Sequence, residues 1–165
     1  MKCLPTRPGR RRSAASRPGG AAVELAFVAL FVLTPMLTGM VEVGRAVLVK
    51  TILTDAARKG AAAAANSTKT YTDIYNDVDD VLSTDHQLPA TLSNGKATLT
   101  VTVATWYSST QTYGSDTVVD SSTFAPNQYD KISVKISVNA SDVTWAFLNY
   151  LSGDFESETV IMLRQ

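Results

Sequence analysis

Residues 25–41, LAFVALFVLTPMLTGMV, form 17 consecutive positions without a charge, bracketed by Glu24 and Glu42. At a rise of 1.5 Å per residue a helix of that length covers roughly 25 Å, slightly short of a ~30 Å hydrocarbon core. The apolar run resumes past Glu42 with Val43, Ala46, Val47, Leu48 and Val49. A helix over about 21–49 therefore spans a bilayer with its charges near the ends. Pro35 lacks the N–H that a helix needs in its middle, and predicts a kink there. Membrane helices tolerate such a proline where neighbouring groups satisfy the freed carbonyl.

Upstream, residues 1–19 carry six cations (Lys2, Arg7, Arg10, Arg11, Arg12, Arg17) and no acid. The 165-residue chain sums to zero net charge, so the rest holds 9 cations against 15 acids. A net-acidic body argues against nucleic acid as a partner. Pro5, Pro8 and Pro18 and the Arg/Ser/Gly composition predict a disordered basic leader. The positive-inside rule puts this leader in the cytoplasm and the residues after ~50 outside it. A cleaved secretory signal fits less well, because the apolar run is too long and Ala61–Ala65 comes too late. The lone Cys3 precedes the apolar run, which excludes lipoprotein processing and an intramolecular disulfide.

Downstream, residues 43–65 contain no proline, and apolar residues recur at 46, 49, 53, 56 and 57. The spacing predicts one helix from about 21 to 65, roughly 65 Å long, whose distal half carries a stripe of Val49, Ile52, Leu53, Ala56 and Ala57. Asn66–Thr72 is a polar break. Asp73–Leu82 places Ile74, Val78, Val81 and Leu82 at helical spacing. Its acids Asp77, Asp79 and Asp80 lack the glycine and terminal Glu of a calcium loop, so no metal site is expected. Asn94-Gly95 signals a turn. Lys96–Trp106 alternates, with Leu99, Val101 and Val103 on one face. Tyr129–Asn139 alternates again, with Ile132, Val134, Ile136 and Val138 inward. Ser108–Ser122 reads as a long loop or irregular hairpin, Trp145–Leu151 as a compact helix or turn, and Glu156–Leu163 as a third strand. The expected fold is α+β: a long N-terminal transmembrane helix running into a small domain of about three antiparallel strands and short helices. The boundaries are 1–19 for the leader, 20–65 for the anchor helix and 66–165 for the extracytoplasmic domain.

Two charged sites on the helix stand out. Glu24 lies at the mouth of the apolar run, where a carboxylate meets the favourable end of the helix dipole or else requires a counter-ion. Glu42 and Arg45 are three apart and share one helix face, as a local ion pair or as a contact to another helix. For catalysis, His86 stands alone in a polar loop, and no nucleophile elbow, phosphate loop or dinucleotide fingerprint is present. The chain reads as a non-enzyme without a cofactor.

The junction Arg17-Pro-Gly-Gly-Ala-Ala-Val-Glu-Leu-Ala-Phe resembles the signal of type IV pilin-like proteins. With Gly20-Ala-Ala-Val-Glu-Leu-Ala, the Pro35 region, Gly39-Met-Val-Glu-Val-Gly-Arg45 and Leu53-Thr-Asp-Ala-Ala-Arg-Lys-Gly60, it is similar to the TadE-like pilus-assembly family. It departs from the family at Leu25, where an aromatic residue is usual. The resemblance implies cleavage by a prepilin peptidase between Gly19 and Gly20. Glu24 then becomes the fifth mature residue and pairs with the free amine of a neighbouring subunit. The implied partners are the bilayer, other pilins or pseudopilins, the prepilin peptidase and inner-membrane platform proteins. The implied role is a pseudopilin-like part of a tight-adherence pilus or secretion system. The alternative from the residues alone is a membrane-tethered extracytoplasmic adhesin or binding module.

Overall fold

The computed structural model describes residues 18–143 and 153–165. The expectations for most of the leader and for a helix at Trp145–Leu151 fall outside the described residues. The chain divides into two compact units, Met1–Gly39 and Met40–Gln165.

In the first unit, α1 covers Pro18–Val28 and a five-residue π turn covers Ala29–Leu33, after which α2 begins at Thr34. Proline at the first helical position loses nothing, because that N–H has no intrahelical partner. The π turn sits immediately before Pro35, whose missing N–H leaves the carbonyl four residues back without its usual donor. The ladder shifts by one residue here. The backbone N–H of Thr34 donates to the Ala29 carbonyl, and Thr34 Oγ1 donates to the same oxygen at 3.0 Å.

In the second unit, α2 runs to Ala65 and buries one face. Val49, Ile52, Leu53, Ala56, Ala57, Ala61 and Ala64 are buried together with the inner side chains of a sheet. The expected stripe is therefore core. Alanine dominates its end because the helix lies close to what it covers: a Cβ on Gly60 would stand 2.6 Å from Val78 Cγ2 and 3.4 Å from Val134 Cγ1.

Helix α3, Tyr71–Asp80, packs Ile74 and Val78 into the same core, and a π turn at Val81–Asp85 adds Val81 and Leu82. It starts two residues earlier than the apolar periodicity indicates, because Thr70 and Asp73 form a reciprocal capping box. Asp73 Oδ2 accepts from the Thr70 N–H at 2.8 Å, and Thr70 Oγ1 accepts from the Asp73 N–H at 3.3 Å.

The sheet is antiparallel, in the order β4-β1-β5-β6, with β7 also on β5. Strands β1 (Ala97–Ala104) and β5 (Lys131–Asn139) pair over eight positions, from Ala97 opposite Val138 to Ala104 opposite Lys131. The inward residues match the alternation: Val101, Val103, Ile132, Val134, Ile136 and Val138 are buried, and Leu99 is partly buried. The segment between them holds a small hairpin, β2 (Trp106–Tyr107) with β3 (Thr112–Tyr113), and then β4 (Thr117–Val119), which adds an edge to β1.

The third expected strand is two pieces along one edge of β5. These are β6 (Asp154–Glu156) and β7 (Val160–Leu163). Ser157 explains the interruption. Its N–H donates to the Ile136 carbonyl at 2.8 Å, while its Oγ accepts from the Ile136 N–H at 2.9 Å in place of a backbone carbonyl.

Beyond β7 the chain returns to the end of α2. Arg164 Nη1 donates to the Ala64 carbonyl at 2.9 Å, Nη2 donates to the Ser67 carbonyl at 3.0 Å, and the Gln165 N–H donates to the Ala65 carbonyl at 3.0 Å. These donors answer carbonyls that the helix terminus leaves without partners.

Candidate functional site

A helix that faces water on one side carries its apolar residues as a stripe. The helical residues from Val23 to Leu37 do otherwise and are exposed on every side, whereas Thr38, Gly39, Glu42 and Ala46 are partly or fully covered. Every Val, Leu, Phe and Met there is between 52% and 70% exposed. The Phe27 and Phe31 rings stack at 5.7 Å, one turn apart on this surface. Gly20–Ala65 is long and apolar enough to cross a membrane, and its most apolar window is not buried at all. An apolar surface of this extent requires lipid or another apolar partner to cover it.

Gly19 and Gly20 fall in the first turn of α1. A Cβ on Gly20 would meet nothing within 4 Å, so space does not require a glycine there. Glu24 follows one turn later and is exposed. It is the seventh residue of an eleven-residue helix whose first turn holds no acid, so the favourable end of the helix dipole does not reach it. Pro35 stands at the second position of α2, directly after the π turn.

Glu42 differs from its neighbours. It is 9% exposed, whereas Val41 and Val43 are 64% and 60% exposed. Its position seven residues before Val49 continues the buried stripe of α2, so a carboxylate occupies the line that Val49, Leu53 and Ala56 continue in the core. Arg45 is exposed.

In the outer part of the second unit, the sequence reading missed three features. Asp130 is 2% exposed; its Oδ1 accepts from the Trp106 N–H at 2.9 Å and its Oδ2 from the Asn127 N–H at 2.7 Å. It holds the corner between β1 and β2 against the start of β5, and no local pattern announces it. Asp120 collects hydrogen bonds from Ser122 Oγ at 2.7 Å, the Ser122 N–H at 2.8 Å and the Thr123 N–H and Oγ1. These bonds, Ser122's first, stabilise the carboxylate and lower its pKa to about 2. The Asp-Ser-Ser-Thr run is a turn signal that sequence alone contains. The third feature is the edge strand β4.

Tyr71 packs edge-on against Phe124, with ring centroids 6.0 Å apart, and the Arg164 guanidinium lies 5.6 Å from the Phe124 ring centre. Partial burial, and then the nearby Asp120 carboxylate, raise the Tyr71 pKa above its ordinary value. On the hairpin, the Trp106 and Tyr113 rings lie 4.8 Å apart, and Tyr107 is 52% exposed. Among the described residues no group of three or more His, Cys, Asp or Glu is placed to hold a metal ion. His86 ends the π turn after α3 and is exposed.

A family model described as TadE-like protein matches residues 19–62, the stretch that carries Gly19, Glu24, Pro35, Glu42 and Arg45. The match covers 44 of the 165 residues, and it is this stretch that is similar to the TadE-like family. Comparison with curated proteins and with solved structures gives no match.

Proposed function

We propose that this chain is a pseudopilin-like component of a tight-adherence pilus assembly or secretion system, held in the membrane by its N-terminal helix. The observation that carries the reading is a coincidence at one place. An apolar surface exposed on all sides, from Val23 to Leu37, lies within the TadE-like match. A glycine pair and a carboxylate five residues after Gly19 stand at its mouth.

In this reading the basic leader stays in the cytoplasm and the β-sheet domain lies outside it. A prepilin peptidase cuts between Gly19 and Gly20, after the first turn of α1 opens. A Gly-Gly pair at a helix start favours that opening, because glycine holds helical conformation weakly. The cut leaves a free amine on Gly20, and Glu24 of one subunit pairs with the amine of the next. Removing one member of such a pair in a low-dielectric layer leaves the other uncompensated, which is costly. The role is structural. Apolar helix surface from Val23 to Leu48 supplies the contact to lipid and to other pilins or pseudopilins, and the inner-membrane platform receives the anchored subunit.

The decisive experiment replaces Glu24 with Gln in the producing cell. Pilus assembly, scored by immunodetection of sheared fibres, should be lost while membrane insertion persists. Wild-type fibre yield from the variant overturns the pairing. N-terminal sequencing of the membrane-derived protein should begin at Gly20. A tethered binding module would instead keep its activity with Glu24→Gln and retain its leader.

A further inference from the structure

A groove of about 260 Å³ runs along α2 from Val47 to Arg58, and Glu158, from the turn between β6 and β7, lines it as well. Four charged side chains share it. Arg58 and Asp55 pair with each other at 3.2 Å. Lys50 and Glu158 have no ion-pair partner among the described residues, although they line the same groove. The groove thus offers an ammonium and a carboxylate that a bound molecule can bridge. A molecule complementary to it carries both a negative and a positive group.

The position of the groove along α2 says where such a molecule comes from. Met40, Val41, Val43, Val47 and Leu48 are exposed apolar side chains. From Lys50 onward the exposed positions of the helix are Lys50, Thr51, Asp55, Arg58, Lys59 and Ala62. With the exposed Arg45 as its first charge, the surface changes from apolar to charged between Arg45 and Lys50. In a chain anchored as proposed above, that change marks the end of the hydrocarbon. From Lys50 to Arg58 the helix rises roughly 12 Å, and the headgroup layer of one leaflet is about 5–8 Å deep. The groove therefore begins at headgroup level at its Lys50 end and extends beyond it toward Arg58.

From these observations we infer that the groove is a seat for a zwitterionic phospholipid headgroup bearing a primary ammonium, with Lys50 toward the phosphate and Glu158 toward the ammonium. A primary ammonium donates hydrogen bonds to a carboxylate, which a quaternary ammonium does not. A headgroup with no cation leaves Glu158 facing like charge. The order of preference is phosphatidylethanolamine over phosphatidylcholine, and over phosphatidylglycerol. The inference rests on the membrane-anchor reading.

The test uses the full chain in nanodiscs of phosphatidylcholine containing equal small fractions of phosphatidylethanolamine and phosphatidylglycerol, with the retained lipid counted by native mass spectrometry. Wild type should retain phosphatidylethanolamine in preference to both others. Glu158→Gln should abolish its preference over phosphatidylglycerol, and Lys50→Gln should lower retention of every phosphate-bearing lipid, each by up to about fivefold, the range of one exposed ion pair. Unchanged melting of both variants shows that the fold is kept. Equal retention of the three lipids by wild type, wild-type selectivity in both variants, or equally strong binding of inorganic phosphate overturns the headgroup seat alone. A chain that fails to insert into any bilayer overturns the anchor, and the seat with it.

Discussion

The helical residues 23–48 and 49–64 are both rich in apolar side chains and use them in opposite ways. The Leu, Phe, Val and Met of the first stretch are all more than half exposed, and as far as Leu37 they cover every side. The second holds six alanines in sixteen residues, and its buried positions repeat on one side, against β-strand residues and α3. A helix that must cover a sheet closely needs small residues on that side alone. A helix that meets a fluid apolar layer needs bulk in all directions and no particular shape. The difference lies in how the apolar side chains are distributed around the helix, and not in apolar character itself.

Truncating one leucine from each stretch tests that contrast most directly. Leu53 is fully buried, so Leu53→Ala should destabilise the β-sheet domain by about 3 kcal/mol through lost burial and a residual cavity. Leu30→Ala, at a 62% exposed position, should leave the same unfolding transition within about 0.5 kcal/mol. Denaturant titration of the full chain in detergent, followed by tryptophan fluorescence, reads both. Equal effects would erase the distinction. Adding bulk sharpens it from the other side. Gly60→Val forces methyl groups onto Val78, a buried, stiff side chain, and should cost about 2 kcal/mol. Gly39→Val, where a Cβ would meet nothing within 4 Å, should cost nothing and gain about 0.3 kcal/mol, because valine holds helical conformation better than glycine.

Two smaller effects belong to the sheet domain alone. Thr70→Ala removes half of the capping box and should lower stability by about 1 kcal/mol, with amide exchange accelerated first in Tyr71–Ile74. Asp120 has a folded pKa of about 2, below the ordinary carboxylate value near 4. Its contribution is therefore complete above the unfolded pKa and is lost as pH falls through about 2. The stability gap between wild type and Asp120→Asn, measured by urea unfolding, should be constant from pH 7 to 5 and shrink between pH 4 and 2.

The helix, its buried stripe and the two long strands were legible because each repeats a period over eight or more residues. Val101, Val134 and Ile136 alternate with polar neighbours, and Val49, Ile52 and Leu53 recur at helical spacing. What was not legible is short or non-local. Strand β4 is Thr117–Val119, too brief to display an alternation. The interruption at Ser157 depends on a hydroxyl meeting Ile136, 21 residues away. At the candidate site, glycine and glutamate spacing at the helix mouth was readable. The burial of Glu42, on an otherwise exposed turn, was not, because it depends on which side of α2 the rest of the fold covers.

The carbonyls that end α2 are sealed by Arg164 and Gln165, about one hundred positions further along the chain. Synthesis is vectorial, so the ribosome releases the end of this helix well before it makes the donors that complete it. During synthesis the helix keeps an open terminus while the intervening strands emerge, and closure comes late, after β7 has arrived.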